Sequence, residues 1–282
     1  MASLFCPFDL RRPKMHCFEK RASFIALWIV AVWAGAVIAN QTEEAPDNTL
    51  PSLKSGQTWK LVWQDEFEGE TIDKTKWDSP SYERRGHLWR AENATLNKTG
   101  QLVMETSKVG ERFASPCLRT MGKYEKKYGL FITRCKLPKS IGHWSAFWLY
   151  NGSVGRVGNE GRDGTEIDIM EWPYRDGRVQ HALHWDGYGK DHKSKGHVSK
   201  NEALLDGKFH TFALVWSPEE YVFYVDGKET WRTRDGGVCQ VPLYLKLSVE
   251  IGDWAGDIKK AKLPDYFMVD YVRVYDRVSK SE

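Results

Sequence analysis

The feature that most constrains the fold is a long succession of short runs in which apolar and polar residues alternate. Val, Ile, Tyr, Phe and Trp are frequent in these runs, and Gly, Pro, Asp and Asn separate them, as is typical of strands and turns. No segment keeps the apolar period of about 3.6 residues that an amphipathic helix needs. Regularly spaced strands without intervening helices predict an all-β fold, a two-sheet antiparallel β-sandwich. Examples of the runs are "WKLVWQDEF", "YGLFITRCKLP", "HWSAFWLY", "EIDIMEW", "EYVFYVDGKE" and "FMVDYVRVYD".

The size and charge of the chain restrict the number of domains and the kinds of partner that we expect. The chain has 282 residues, of which 41% are hydrophobic, and this is enough for one large domain with a substantial core. Its formal net charge is only +3 and no basic block stands out, so a nucleic-acid partner lacks an electrostatic footprint. The 13 tryptophans indicate flat binding platforms as well as core packing.

The first forty residues differ in kind from the rest. A basic segment precedes the apolar run from Phe24 to Ala39, which ends in small residues. This order is typical of a secretory signal, and the run is short for a membrane span, so a retained N-terminal anchor is only the alternative. We therefore expect a secreted or periplasmic protein. The predicted organisation is a signal peptide over residues 1–39, a linker over 40–56, the folded domain over 57–278 and a tail over 279–282.

Three cysteines remain beyond the predicted signal, namely Cys117, Cys135 and Cys239. An odd number permits at most one disulfide bond, so the fold is not a disulfide-stapled scaffold. A bridge between Cys117 and Cys135 on neighbouring strands is one alternative, and buried free thiols are the other.

Three carboxylates crowd into one strand-like segment. The stretch "GTEIDIMEWP" holds Glu166, Asp168 and Glu171 among β-branched and apolar residues. Residues i and i+2 share a face of a strand, so Glu166 and Asp168 point together, whereas Glu171 arrives one position late. A β-bulge at Ile169–Met170 would add one residue and return Glu171 to the face of the other two acids.

Such a cluster favours catalysis over a structural role. A solvated polar face would interleave cations, yet none lies between Glu166 and Glu171, and calcium ligands usually come from flexible loops. Two close carboxylates do not easily ionise together, so one of them keeps its proton near neutral pH. A nucleophilic carboxylate beside a protonated carboxylic acid is the apparatus of retaining glycoside hydrolysis.

The segment "EIDIME" resembles the bulged E-x-D-x-x-E signature of glycoside hydrolase family 16, as seen in its laminarinase-type members and red-algal galactanases. The resemblance covers about residues 57 to 278, because three further segments match in the same order. It implies a jelly-roll sandwich whose concave face forms an open substrate cleft, which suits cleavage inside a long chain. The three segments are "LVWQDEFEGETIDKTKW", "YGLFITRCKLPKSIGHWSAFWLY" and "MVDYVRVYD".

The resemblance also implies a role for each acid. Glu166 matches the nucleophile, Glu171 matches the general acid/base, and Asp168 matches the supporting carboxylate. No cofactor for catalysis is implied.

Seven further residues are expected to bind the sugar chain. Trp offers a flat face that stacks on sugar rings and an N–H group for a hydroxyl. Core packing is the alternative for each tryptophan, since Trp is often simply buried. Three of the seven also match family positions near the acids or the glycone-side sugars. The set is Trp144, Trp148, Trp172, His184, Trp185, Asn93 and Arg119.

Two metal sites are conceivable. The loop after His184 also contains His192 and His197, but their spacing matches no compact zinc pattern, and we expect a flexible loop at the cleft rim instead. Members of the family often hold a structural Ca²⁺ between the first and last strands, through oxygen ligands that suit this ion, with capping of a strand end as the alternative. The matching positions are Glu68, Gly100 and Asp270.

The leading hypothesis is a secreted retaining endo-glycosidase that hydrolyses internal β-1,3 linkages, or mixed β-1,3/1,4 linkages, of a glucan. An endo-galactanase acting on agar, porphyran or carrageenan is the alternative with the same chemistry. A non-catalytic carbohydrate-binding sandwich is the alternative of another class, because fold does not fix function. The expected partner is the polysaccharide alone, with a monomer in solution and no membrane contact after signal cleavage.

Overall fold

The computed structural model describes residues 50–280 of the chain. The predicted signal peptide, and the predicted linker as far as residue 49, lie outside the described residues. The first strand begins at Gln57, where the domain is predicted to start, and the last strand ends at Ser279. Within this range no helix has the length and the apolar character needed to cross a membrane.

Residues 50–280 form eighteen β-strands and five short 3₁₀ helices. The 3₁₀ helices are Ala91–Asn93, Gly152–Gly155, Glu202–Leu205, Asp253–Ala255 and Ile258–Lys260. The strands are β1 (Gln57–Asp65), β2 (Tyr82–Arg84), β3 (His87–Trp89), β4 (Ala94–Leu96), β5 (Leu102–Val109), β6 (Arg112–Ser115), β7 (Cys117–Arg119), β8 (Glu125–Lys126), β9 (Gly129–Lys136), β10 (His143–Tyr150), β11 (Thr165–Trp172), β12 (Arg178–Trp185), β13 (Lys193–Lys200), β14 (His210–Trp216), β15 (Tyr221–Val225), β16 (Lys228–Thr233), β17 (Leu243–Ile251) and β18 (Asp265–Ser279).

The strands form two sheets. The larger sheet has the order β16-β15-β14-β9-β18-β5-β6-β3-β2, with β1 paired to β18 and β4 paired to β5. The smaller sheet has the order β13-β12-β11-β10-β17-β7, with β8 paired to β17. The pairs on the smaller sheet are antiparallel, and the larger sheet contains one parallel pair, β3 with β6. The predicted all-β sandwich of two sheets is confirmed.

The core lies between the sheets. From the smaller sheet, β11 contributes Ile167 and β17 contributes Leu247, and from the larger sheet β14 contributes Phe212 and β18 contributes Val272. All four side chains are fully buried. Burial of one such side chain stabilises the fold by about 1.5–3 kcal/mol, so many inward-facing positions hold the two sheets together.

Strand β10 carries bulky side chains on both of its faces. Its Phe147 and Leu149 belong to the core, whereas Trp144 and Trp148 alternate with them and point to the other side of the sheet. The outer face of the smaller sheet is therefore lined with aromatic side chains, and it is the face on which a substrate can lie.

Cys117 and Cys135 do not form the disulfide bond that was one of the two alternatives. Cys117 lies on β7 of the smaller sheet and Cys135 lies on β9 of the larger sheet, and both, like Cys239, are buried free thiols. Burial raises the pKa of Cys117 to about 12. A thiol with so high a pKa stays protonated and unreactive at neutral pH.

Candidate active site

A β-bulge on β11 brings the three acids to one face. Asp168 lies opposite Ala182 of β12 and Glu171 lies opposite Gln180, so three residue steps on β11 match two steps on β12. The extra residue falls at Ile169–Met170, where the sequence predicts it, and both of these side chains are fully buried in the core. Because two successive side chains point inward, Glu171 returns to the face of Asp168.

The acids line a cleft on the outer face of the smaller sheet. Glu166, Asp168 and Glu171 all border this cleft, which has a volume of about 460 Å³. A carboxylate oxygen of Glu166, one of Asp168 and a ring nitrogen of His184 lie within 4.8 Å of one another. The cleft thus contains a tight cluster of acids that is open to solvent on one side.

Burial and mutual repulsion hold protons on two of the acids. Surrounding protein removes hydration from Glu171 and raises the pKa of its carboxyl group well above the usual range, and the neighbouring Asp168 and Glu166 raise it further. Burial also raises the pKa of Asp168 well above its usual range, with a further contribution from the charge of Glu166. A carboxyl group that keeps its proton near neutral pH can serve as a general acid.

The structure places Trp144 and Trp148 in the cleft. Nε1 of Trp144 donates a hydrogen bond to Oε1 of Glu171 at 3.1 Å, and Nε1 of Trp148 donates one to Oγ of Ser248 at 3.0 Å. Both side chains are almost completely buried, so each presents a narrow strip of its ring to the cleft. Trp144 therefore orients Glu171 as well as shaping the wall.

Trp172 and Trp185 belong to the core, which corrects their assignment to the cleft wall. Trp172 directly follows Glu171, so strand alternation turns it to the opposite face, where its Nε1 donates to a main-chain carbonyl 3.2 Å away. Trp185 directly follows His184, which lies opposite Glu166 on the neighbouring strand. The same alternation therefore turns Trp185 inward.

Asn93 also lies away from the cleft. Its Nδ2 donates hydrogen bonds to the carbonyl oxygen of Glu105 at 3.0 Å and to Oγ of Ser107 at 2.8 Å. These bonds fix the end of a 3₁₀ helix against β5. These bonds give Asn93 a structural role, and it is not among the residues that line the cleft, so its contact with a sugar stays a prediction.

His184 lies beside the acids, and Arg119 lines the same cleft at a greater distance from them. Nε2 of His184 is 3.4 Å from Oδ2 of Asp168. Arg119 borders the cleft from β7, and its Nε donates to Oδ2 of Asp78 at 2.7 Å. The imidazole can therefore influence the acids directly, whereas the guanidinium is held at the far side of the cleft floor.

The three histidines considered for zinc do not converge. Nδ1 of His184 and Nε2 of His192 are 3.0 Å apart, but the ring of His197 stacks on Trp231 instead. Within residues 50–280, the group of three side chains that could hold a metal ion is Glu166, Asp168 and His184.

The residues matched to a structural calcium site fit that ion only in part. Glu68 and Gly100 are neighbours, because a methyl group at Gly100 would lie 3.6 Å from Cγ of Glu68. Asp270, however, accepts a hydrogen bond from Nη1 of Arg134 at 2.5 Å through Oδ2. Ca²⁺ takes about six to eight oxygen ligands. A carboxylate that already pairs with a guanidinium is a poor ligand for this ion. Calcium stays a prediction.

Sequence reasoning missed most of the cleft floor. On β17, "LYLKLSVEI" alternates apolar residues with Tyr244, Lys246, Ser248 and Glu250, and this alternation could have identified the outward face of the strand. The remaining missed residues come from β2, the loop after it, β10 and the loop after β12, and they are Tyr82, Arg84, Arg85, Ala146, Tyr150 and Tyr188.

The raised pKa of Glu171 predicts a pH-dependent cost in stability. The folded protein binds this proton more tightly than the unfolded chain does, so the stability contribution of Glu171 is fully present at acid pH and is lost as the pH rises above the unfolded pKa. Glu171→Gln removes this loss. We expect its Tm to equal that of the wild type at about pH 4 and to exceed it by roughly 2–4 °C or more at about pH 7.5, since one pKa unit is about 1.4 kcal/mol.

Thermal unfolding followed by circular dichroism at several pH values checks this expectation. Glu219→Gln, at an exposed glutamate outside the cleft, controls for the loss of one negative charge. A difference in Tm between Glu171→Gln and the wild type that does not change with pH would contradict the protonation assigned to Glu171.

Comparisons with known proteins show the family to which the chain belongs. The family model for glycosyl hydrolases family 16 matches residues 82–273. A β-glucanase of Rhodothermus marinus is 30% identical in an alignment of 249 positions that covers 77% of this chain and 85% of the relative. A keratan-sulfate endo-1,4-β-galactosidase of Sphingobacterium multivorum is 31% identical in an alignment of 291 positions that covers 91% of this chain and 68% of the relative.

Solved structures extend the similarity to the whole sandwich. The laminarinase catalytic domain of Thermotoga maritima MSB8 superposes with a TM-score of 0.68 at 29% identity, and the match covers 78% of this chain and 99% of that domain. The family match spans most of the folded domain, including β11 and its three acids. The chain therefore belongs to glycosyl hydrolases family 16 and is an endo-acting glycosidase.

Proposed function

We propose that the protein hydrolyses its polysaccharide with retention of configuration, as a member of the bulged, laminarinase-type branch of the family. Glu166 is the nucleophile, Glu171 is the general acid/base, and Asp168 is the supporting carboxylate. The observation that carries the proposal is the bulge, which brings Glu171, with its raised pKa, to the face of Glu166. A binding protein without catalysis has no need for a proton held on a buried acid.

The mechanism has two steps. In the first, an oxygen of Glu166 forms a bond to the anomeric carbon while the glycosidic bond breaks, and the leaving oxygen takes the proton of Glu171. In the second, Glu171 takes a proton from water as the water oxygen bonds to the anomeric carbon, and Glu166 leaves as a carboxylate. Asp168 stands between the two and tunes the charge on both.

The proposed substrate is a β-1,3-linked or mixed β-1,3/1,4-linked glucan. The similarity to the Thermotoga maritima laminarinase and to the Rhodothermus marinus β-glucanase supports this choice. The cleft is open to solvent on one side, which supports attack inside a long chain. We also propose that the protein acts alone outside the cytoplasm, a proposal supported by the order of residues 1–39.

A galactan with anionic groups is the second candidate, and one specific observation favours it. Arg84 and Arg119 in the cleft are paired with carboxylates, whereas Lys246 rests on aromatic rings. Its Nζ is 3.6 Å from the ring centroid of Trp148 and 5.3 Å from that of Tyr150. Burial lowers the pKa of Lys246, and an anionic group on the substrate would compensate this buried cation. The similarity to a keratan-sulfate galactosidase points the same way.

A polysaccharide panel tests both candidates. Laminarin, lichenan, agarose, porphyran, carrageenan and keratan sulfate are incubated with the protein, and products are followed by reducing ends and by mass. We expect internal cleavage of laminarin and lichenan. Inactivity on both glucans together with activity on a galactan would overturn the leading substrate.

Lys246→Met separates the two substrate classes further. If the substrate is anionic, the variant should lose about 10- to 100-fold in kcat/KM on that chain, because a hydrogen bond to a charged group is lost. On a neutral glucan the loss should be smaller, because the variant removes there only the charge that Lys246 presents to Asp168 and Glu166. Lys195→Met, at an exposed lysine on β13, is the matched control and should change neither activity. An equal loss on neutral and anionic chains would mean that Lys246 stabilises the structure of the cleft and does not bind an anionic group of the substrate.

A further inference from the structure

Tyr188 reaches the proposed nucleophile from a loop. It lies between β12 and β13, flanked by Gly187 and Gly189, and its side chain forms part of the cleft wall. Its Oη donates a hydrogen bond to Oε2 of Glu166 at 2.5 Å. The phenol hydroxyl is the donor in this bond, and a carboxylate oxygen is the acceptor.

The base of this loop is fixed to its surroundings. Asp186, at the end of β12, is fully buried, and its Oδ2 accepts from Nζ of Lys193 at 2.7 Å. The main-chain N–H of Gly187 donates to the carbonyl oxygen of Val154 at 2.7 Å. These contacts fix the backbone just before Tyr188, so the fold helps to determine the position of the tyrosine hydroxyl.

The same loop also contacts His184, which lies beside a second acid, Asp168. His192 lies at its end, and Nε2 of His192 is 3.0 Å from Nδ1 of His184, whose Nε2 is 3.4 Å from Oδ2 of Asp168. The rings of Tyr188 and His192 are in contact, with centroids 5.7 Å apart. The loop thus contacts the acids directly through Tyr188, whereas His192 contacts only His184, which lies beside Asp168.

Every strand around Glu166 brings a titratable neighbour toward it. Although the side chain of Tyr188 is about half exposed as a whole, loss of hydration at its hydroxyl and the charge of Glu166 raise its pKa, so the hydroxyl keeps its proton and remains a donor at working pH. The neighbours that face Glu166 from β10, β11, β12 and β17 are Tyr150, Asp168, Glu171, His184 and Lys246.

We propose that Tyr188 is a positioning residue for Glu166, holding Oε2 by its hydroxyl so that the other carboxylate oxygen is left to bond the anomeric carbon. The assignment rests on the proposed role of Glu166 as nucleophile. In the covalent intermediate, Oε2 is the carbonyl oxygen of the ester. When water displaces the sugar, the negative charge returns to the carboxylate, and the hydroxyl of Tyr188 stabilises that charge. The hydrogen bond therefore makes Glu166 a better leaving group in the second step.

Tyr188→Phe removes only the hydroxyl. With an activated substrate, dinitrophenyl β-laminaribioside, the second step limits the rate, and we expect kcat to fall about 10-fold or more. KM should fall with kcat, and a burst of dinitrophenol should precede the steady state, because the intermediate accumulates. A loop that had merely lost its shape would instead raise KM and show no burst.

A second measurement needs no substrate. Carbon-13 NMR of the carboxyl groups observes Glu166 in the free protein, and in Tyr188→Phe the carboxyl signal of Glu166 should shift, because the hydrogen bond to its Oε2 is lost. Tyr266→Phe, at an exposed tyrosine on β18, is the matched control for both measurements. Thermal unfolding should show equal Tm values for the three proteins within about 2 °C, since Tyr188 is 55% exposed.

The outcomes separate the positioning role from the proposed function. An unchanged carboxyl signal of Glu166 and kinetics like those of Tyr266→Phe would overturn the role of Tyr188. If the wild type cleaves no laminaribioside, the substrate is wrong, yet a shifted carboxyl signal would still support the contact with Glu166. A shifted signal without a burst on any cleaved substrate would show that Tyr188 binds Glu166 but does not assist its departure, and would also overturn the proposal.

Discussion

Glu166→Ala is expected to lower kcat for polysaccharide hydrolysis by about 10⁴-fold or more, because no side chain remains to bond the anomeric carbon. Glu171 is left in place and can still accept a proton. Supplied with an α-laminaribiosyl fluoride, which stands in for the lost covalent intermediate, the variant should join donor and acceptor sugars. Product masses longer than either reactant are the measurement.

The control for this experiment is Glu219→Ala, which removes an exposed glutamate outside the cleft and should hydrolyse laminarin at the wild-type rate. Loss of hydrolysis in Glu166→Ala without any coupling from the fluoride would argue that Glu166 holds the site together and does not attack the sugar.

Glu171→Ala is expected to lose activity in proportion to how much the leaving group needs a proton. On laminarin the loss should be about 10²- to 10⁴-fold, the usual contribution of a general acid. On dinitrophenyl β-laminaribioside the first step should proceed almost normally, because this leaving group needs no protonation. Azide attacks without a general base, so it should rescue turnover and give a β-glycosyl azide. The product configuration is read by proton NMR.

The configuration of that azide decides the stereochemistry. An α-glycosyl azide would mean a single displacement with inversion, and Glu166 would then not be the nucleophile. Asp168→Asn is the matched comparison on the same strand, since it should slow both steps and leave the configuration unchanged.

The acids and the bulge could be predicted because their information is local. Six consecutive residues, "EIDIME", contain both the spacing of the acids and the apolar pair that must turn inward. Counting onward from Glu171 then tells which face of the strand each later side chain occupies, because successive side chains alternate. The same count places Trp172 on the opposite face. Trp172 was assigned to the cleft because it is next to Glu171 in the sequence, but neighbouring residues of a strand point to opposite faces.

The rest of the cleft depends on which strands are neighbours. Lys246 lies opposite Trp148 only because β17 pairs with β10, and the two residues are far apart in the sequence. A local pattern predicts the faces of a strand but not its partner in the sheet. Tyr188 was missed for a different reason. Its direction is set by the hydrogen bonds at the base of a glycine-flanked loop, which leave no periodic signal.

The bulge also separates the placement of the catalytic acids from the contacts that bind the sugar. Ile169 and Met170 both anchor β11 to the interior directly behind the acids, so the chemistry is secured from the side of the sheet that a sugar never touches. Side chains on β2, β7 and β17 also line the cleft, and none of these strands pairs with β11. Substitutions on those three strands can therefore alter the contacts with a sugar without displacing the acids.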